Sequence, residues 1–127
     1  MIARLIAGLA GLLYLGLGAW VLLQPDTVAE TIGLGFHGPA GRLEFLVAYG
    51  GFYLGVGAFL GLGMIARSYT VPALWLFVLT SIGVAAVRGP LLMEMPDPPS
   101  IAVQLLWAEV AMIAAGVIGL IAARSRR

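Results

Sequence analysis

The sequence predicts an all-α integral membrane protein built as a bundle of four transmembrane helices. Three observations carry that prediction. Of 127 residues, 61% are hydrophobic and 10% are charged, and the mean hydropathy is +1.05. A soluble domain averages about half apolar and about a quarter charged, so the excess apolar surface must meet lipid. Four apolar stretches, near residues 2–23, 43–65, 71–93 and 101–123, each reach the roughly 20 residues that a spanning helix needs. Isolated apolar runs in lipid must satisfy their backbone within themselves, which excludes strands as the spans. The length fits one domain across residues 1–127.

The first stretch carries Arg4 ahead of its apolar run and so imitates a signal peptide. The run is too long for a signal core and no small-residue cleavage site follows, so a retained first span is expected. Gln24, Pro25 and Asp26 end it. Residues 26–32 read as a short surface helix, followed by a loop through Gly33, Gly35, Gly38, Pro39 and Gly41. Arg67, Ser68, Tyr69 and Thr70 form a tight second connection. There Ser68 or Thr70 is expected to cap the third span, with Pro72 in its tolerant first turn. A stiff third loop runs from Met95 to Pro99, and Ser100 is the expected cap of the fourth span.

Arginine placement orients the chain. Arg4, Arg67, Arg124, Arg126 and Arg127 share one side, while Arg42, Asp26, Glu30, Glu94 and Asp97 share the other. The positive-inside rule puts both termini in the cytoplasm. The terminal arginines read as a stop anchor at the headgroups. Net charge is only +1, and no basic block precedes the tail, which argues against nucleic-acid binding. There is no cysteine, and the lone histidine, His37, lies in a loop, so no metal site is expected. No cofactor is assigned. Trp20, Trp75, Trp107 and Tyr69 read as interface anchors.

Small residues let helix backbones approach in lipid, where no hydrophobic drive joins helices. The expected packing faces are Ala7 and Gly11 in the first span, and Ala48, Gly51, Gly55 and Ala58 in the second. In the fourth they are Ala108, Ala111, Ala115 and Gly119. The motif Tyr-Leu-Gly-Leu-Gly-Ala at residues 14–19 returns as Tyr-Leu-Gly-Val-Gly-Ala at residues 53–58. Duplication would account for it, and in a chain with 18 glycines chance and shared packing demands account for it at least as well.

Three ionisable residues fall within the spans: Glu44, Arg88 and Glu109. Charges at membrane depth are costly and pair inside the bundle. Arg88 lies about 8 Å below the outer end of the third span and Glu109 about 12 Å below that of the fourth, at about 1.5 Å per residue. An Arg88–Glu109 ion pair is therefore expected. Glu44 shares the Ala48–Gly51 face and is expected to look at a neighbour. Pro90 leaves the Ala86 carbonyl without its helical donor, near Arg88, and Ser81 shares the Arg88 face. Tyr49, Tyr53 and Gln104 are expected to add polar edges, giving a kinked candidate pocket that opens outward. No catalytic residue is assigned, because no nucleophile or metal-ligand set accompanies the charges.

The second span, with Tyr49-Gly50-Gly51 followed by Leu54-Gly55-Val56-Gly57, resembles the small bacterial four-helix membrane proteins of the DoxX-like group. That resemblance implies a four-helix fold with an arginine late in the third span and an acid in the fourth, here Arg88 and Glu109. It also implies a bacterial inner-membrane location, and it implies no activity. An arginine that many relatives carry just before the Tyr-Gly-Gly is replaced here by Leu46, Val47 and Ala48.

Three functional readings stay open. The first is a non-catalytic accessory bundle that joins other membrane subunits or self-associates. The second is an enzyme or binding protein for a lipid-soluble, apolar small molecule, using Arg88, Glu109 and Glu44. The third is a proton-coupled transporter. Small multidrug transporters rely on a glutamate in the first span, which here holds none.

Overall fold

A computed structural model describes residues 1–125, so the expected anchoring role of Arg126 and Arg127 lies outside the described residues. The chain forms α1 (Ile2–Leu23), α2 (Pro25–Thr31), α3 (Gly38–Ile65), α4 (Arg67–Met93) and α5 (Ser100–Arg124). All but α2 are long and apolar enough to cross a membrane. The all-α, four-span expectation holds.

The ends of α2 and α3 follow from local chemistry. Pro25 opens α2 in the first turn, where a missing N–H costs nothing. Gly33, at φ +77°, closes α2. The N–H of Leu34 then reaches the Ala29 carbonyl and that of Gly33 the Glu30 carbonyl, satisfying carbonyls that the helix leaves open. Gly38, at φ +84°, turns the chain into α3, with Pro39 in the first turn. Residues 38–41, expected as loop, are thus the first turn of the second spanning helix.

Within α3, residues Leu46–Gly51 form a π-helical turn in which the Phe52 N–H bonds to the Val47 carbonyl, five residues back. The extra residue lets Phe45 and Gly50, five apart, both face inward, and both are buried.

The connection between α3 and α4 is a single extended residue, Ala66. Helix α4 starts earlier than expected, so Pro72 lies inside it, and neither Ser68 nor Thr70 caps it. The Thr70 hydroxyl instead donates to the Gly63 carbonyl at 2.7 Å, joining α4 to the end of α3. Arg4 reaches the same helix end from α1, donating through Nε to the Met64 carbonyl (2.6 Å) and through Nη2 to that of Ile65 (3.1 Å). A cation there also meets the negative end of the helix dipole. Helix α5 begins at Ser100 after Pro99, with no side-chain cap.

Each helix packs most extensively on its chain neighbour, α1 with α3 and α4 with α5, and α3 and α5 occupy opposite corners. The α1–α3 contact is a meeting of backbones. A Cβ placed on Gly57 would stand 2.7 Å from the Leu15 nitrogen and 3.0 Å from the Gly11 carbonyl oxygen. One on Gly11 would stand 2.9 Å from the Gly61 nitrogen, and one on Gly18 would stand 3.0 Å from the Gly50 oxygen. The expectation for Ala7 and Gly11 holds: both are buried.

The expectation for α3 does not hold. Ala48, Gly51, Gly55 and Ala58 are all exposed, and a Cβ on Gly51 or Gly55 would meet nothing within 4 Å. The bundle uses the adjacent face, Gly50, Gly57 and Gly61. The repeated motif explains the choice. Tyr14 and Tyr53, its first residues, meet edge to face at 5.4 Å. Gly18 and Gly57 lie in the seam, while Gly16 and Gly55 both face open space. In α5, Gly119 packs on Leu74 and Gly116 on Val78 and Phe77, whereas Ala108 and Ala111 are exposed.

The main core, of Ala3, Ala7, Ala10, Val56, Leu60, Ala73, Leu74 and Phe77, fills the half of the bundle nearest the N-terminus. A second cluster at the opposite end seats α2 through Val28 and Ala29 on Val21 and Phe45.

Candidate functional site

The α4–α5 register sets the site. These helices run antiparallel, and the contacts of Gly116 with Val78 and Gly119 with Leu74 fix their relative depth. Continuing that register away from the core brings Arg88 opposite Glu109. Arg88 Nε donates to Glu109 Oε1 at 2.9 Å. Glu109 is the only buried acid among the described residues, at 5% exposure, while the Arg88 side chain is 29% exposed. The expected pair is formed.

The pair leaves polar capacity on both sides. Glu109 Oε2 is buried and accepts no hydrogen bond from any described residue. Guanidinium carries five N–H donors. Glu109 takes the one on Nε, and no described residue accepts from Nη1 or Nη2. The Ala86 carbonyl beside Pro90 is likewise not used by Arg88. Ser81 is buried but donates to its own helix, to the Phe77 carbonyl at 2.8 Å.

Tyr53 is the expected site residue that lies within electrostatic reach of Arg88 and Glu109, without a hydrogen bond to either. It is held in a line of rings. Phe36 meets Phe45 at 5.2 Å, Phe45 stacks on Tyr49 at 4.8 Å, Tyr49 meets Tyr53 at 5.9 Å, and Tyr14 joins Tyr53 to Phe77. The line runs from the α2–α3 loop to the main core and passes beside the ion pair. Edge-to-face ring pairs each add about 0.5–1.5 kcal/mol beyond burial, so Tyr53 is a fixed wall.

The other expected members lie elsewhere. Glu44 is exposed and forms no ion pair among the described residues. The π turn between Glu44 and Tyr53 shifts the phase that a regular helix would give. Gln104 is exposed: it lies five residues before Glu109, about 140° around a regular helix of 3.6 residues per turn. Tyr49 borders the site only through its ring contact with Tyr53. The arrangement is therefore Arg88, Glu109 and Tyr53, not a pocket of six residues.

Two concave surfaces flank it. One, of about 510 Å³, runs along α4 and the start of α5 past Arg88. The other, of about 560 Å³, lies among Asp26, Glu30, Phe36 and Arg42 at the α2–α3 loop, where Arg42 and Asp26 make an exposed contact at 3.4 Å.

No protein-family model, curated protein or solved structure matches the chain.

A buried pair broken on one side leaves an uncompensated charge, at a cost of about 3–5 kcal/mol. Glu109→Leu should accordingly destabilise the bundle by about that much in a detergent unfolding titration. Arg88→Met combined with Glu109→Leu should recover most of the loss. A double variant no more stable than Glu109→Leu would show that the two side chains are not energetically paired.

Proposed function

We propose that this small membrane protein is a non-catalytic accessory bundle that docks a further transmembrane helix on the outer face of α3. One observation carries the reading. Ala48, Gly51, Gly55 and Ala58 form a continuous small-residue face that the bundle itself does not use. Glycine within a helix is destabilising by roughly 1 kcal/mol relative to alanine, and a lipid-facing position returns nothing for that cost. A second helix seated there recovers it through close backbone approach. The occupant we favour is a second copy of this chain, since the bundle already contains one glycine-lined seam of this kind in α1 and α3.

The location we infer is a bacterial inner membrane, supported by the DoxX-like resemblance, with both termini cytoplasmic, supported by the arginine asymmetry. Kinship with the DoxX-like group is part of the same reading, supported by the Tyr-Gly-Gly motif and the positions of Arg88 and Glu109. A second reading, a site for a lipid-soluble small molecule at the ion pair, is favoured by the unpartnered Glu109 Oε2. A molecule carrying one hydrogen-bond donor would satisfy it.

Orientation is read by thiol labelling, because the chain has no cysteine of its own. An impermeant reagent outside the cell should label Ser100→Cys and spare Ser125→Cys; the reverse pattern inverts the topology.

Docking on α3 separates two neighbouring glycines. Gly55→Leu should preserve the melting temperature in detergent yet abolish self-association, measured by energy transfer between labelled copies in liposomes. Gly57→Leu should collapse the bundle itself. Undiminished association of Gly55→Leu would remove the α3 face as the docking surface.

A further inference from the structure

We propose that the groove between α4 and α5 binds a phospholipid, with its phosphate on the Nη groups of Arg88 and an acyl chain lying inward along α4. The proposal stands apart from docking on α3, which lies at the opposite corner from α5. It also uses the Nη groups of Arg88 rather than Glu109 Oε2.

The groove holds about 510 Å³ and is lined by Gly83, Val84, Val87 and Leu91 of α4 and by Pro99 and Ala102 around the start of α5. Arg88 is the one charged residue on its wall. The walls are otherwise aliphatic, and Gly83 gives the groove its depth, since a Cβ there would meet nothing within 4 Å.

Charge and hydrogen bonding select the headgroup. Glu109 bonds Arg88 side-on through Nε. This leaves the two Nη nitrogens, with four N–H donors, no acceptor among the described residues. Unsatisfied donors are expensive in hydrocarbon. The paired N–H groups of a guanidinium match two phosphate oxygens in a fork.

Depth selects the source of the phosphate. Helix α4 has 27 residues, or about 40 Å at about 1.5 Å per residue, against a hydrocarbon layer of about 30 Å. About 5 Å of helix thus lies beyond each boundary. Arg88 sits five residues from Met93, about 8 Å along the helix, which places its Cα only a few ångströms inside the boundary. Held there by Glu109 through Nε and still 29% exposed, the guanidinium lies within a few ångströms of the depth at which phosphates sit. The groove runs both ways from Arg88, outward past Leu91, Leu92 and Met95 and inward past Val87 and Val84 to Gly83; the inward arm has the direction an acyl chain takes from its phosphate.

The test is native mass spectrometry of the protein exchanged in mild detergent into dioleoylphosphatidylglycerol, with oleate offered in a parallel arm. The wild type should retain one phospholipid through delipidation. Gly83→Leu fills the groove without touching the ion pair and should lower the bound fraction at least ten-fold. Arg88→Gln should do the same, with circular dichroism confirming that its helices persist. If Arg88→Gln fails to fold, Gly83→Leu decides alone. Lipid retention by Gly83→Leu equal to wild type overturns the proposal, as does a wild type that emerges free of lipid. Oleate or an unrelated small molecule retained in place of phospholipid also overturns it, and would favour the ion pair as a small-molecule site.

Discussion

The close backbone approach of α1 and α3 is the constraint on which the rest of the bundle depends. Lipid offers no reward for burying leucine against leucine, so association must come from packing density and polar contacts. Here the seam is lined by Gly11 and Gly18 on one helix and by Gly50, Gly57 and Gly61 on the other; a methyl group on Gly11, Gly18 or Gly57 would press on backbone atoms, and one on Gly50 would press on the Leu22 side chain. Backbone cannot rotate aside as a long side chain can, and this makes the seam specific in register as well as in face. Arg4 on the final carbonyls of α3 and Thr70 on Gly63 then secure the end of α3 to α1 and α4.

With the seam fixed, the other features follow. Helix α3 has one small-residue face committed to α1 and another turned outward. The main core fills the N-terminal half, and the ring line of Tyr49, Tyr53 and Tyr14 continues beyond it. Arg88 and Glu109 lie in the more polar half, where α4 and α5 meet away from that core. The ion pair thus joins α4 to α5 beyond the well-packed region. It satisfies one carboxylate oxygen and one guanidinium nitrogen, and its remaining groups give the molecule its chemical character.

Much of this was legible in the sequence, for identifiable reasons. Span positions follow from apolar run length, and the Arg88–Glu109 pair follows from depth alone, since two opposite charges at similar membrane depth have few other partners. The face of α3 was harder. Its two glycine stripes are equivalent in small-residue content, and only the partner helix distinguishes them. Spacing alone does not separate them: Gly50 and Gly57 are seven apart, matching Gly11 and Gly18, but so are Ala48 and Gly55. The π turn was not legible, because no local residue choice dictates an extra residue at 46–51, and it removed Glu44 from the site. Gln104 was assigned by depth without regard to helical phase. The contacts of Arg4 were missed because a terminal arginine near lipid has an adequate explanation in topology.

Oxidative crosslinking in native membranes addresses the seam most directly, because the chain contributes no background thiol. A Cβ on Gly50 would lie 3.0 Å from Leu22 Cγ, whereas one on Gly51 meets nothing within 4 Å. The first separation suits a disulfide once cysteine replaces leucine. The pair Leu22→Cys with Gly50→Cys should form an intramolecular disulfide readily, and Leu22→Cys with Gly51→Cys should not. Preferential crosslinking through Gly51→Cys would mean that α3 turns its other small-residue face to α1, contradicting the seam.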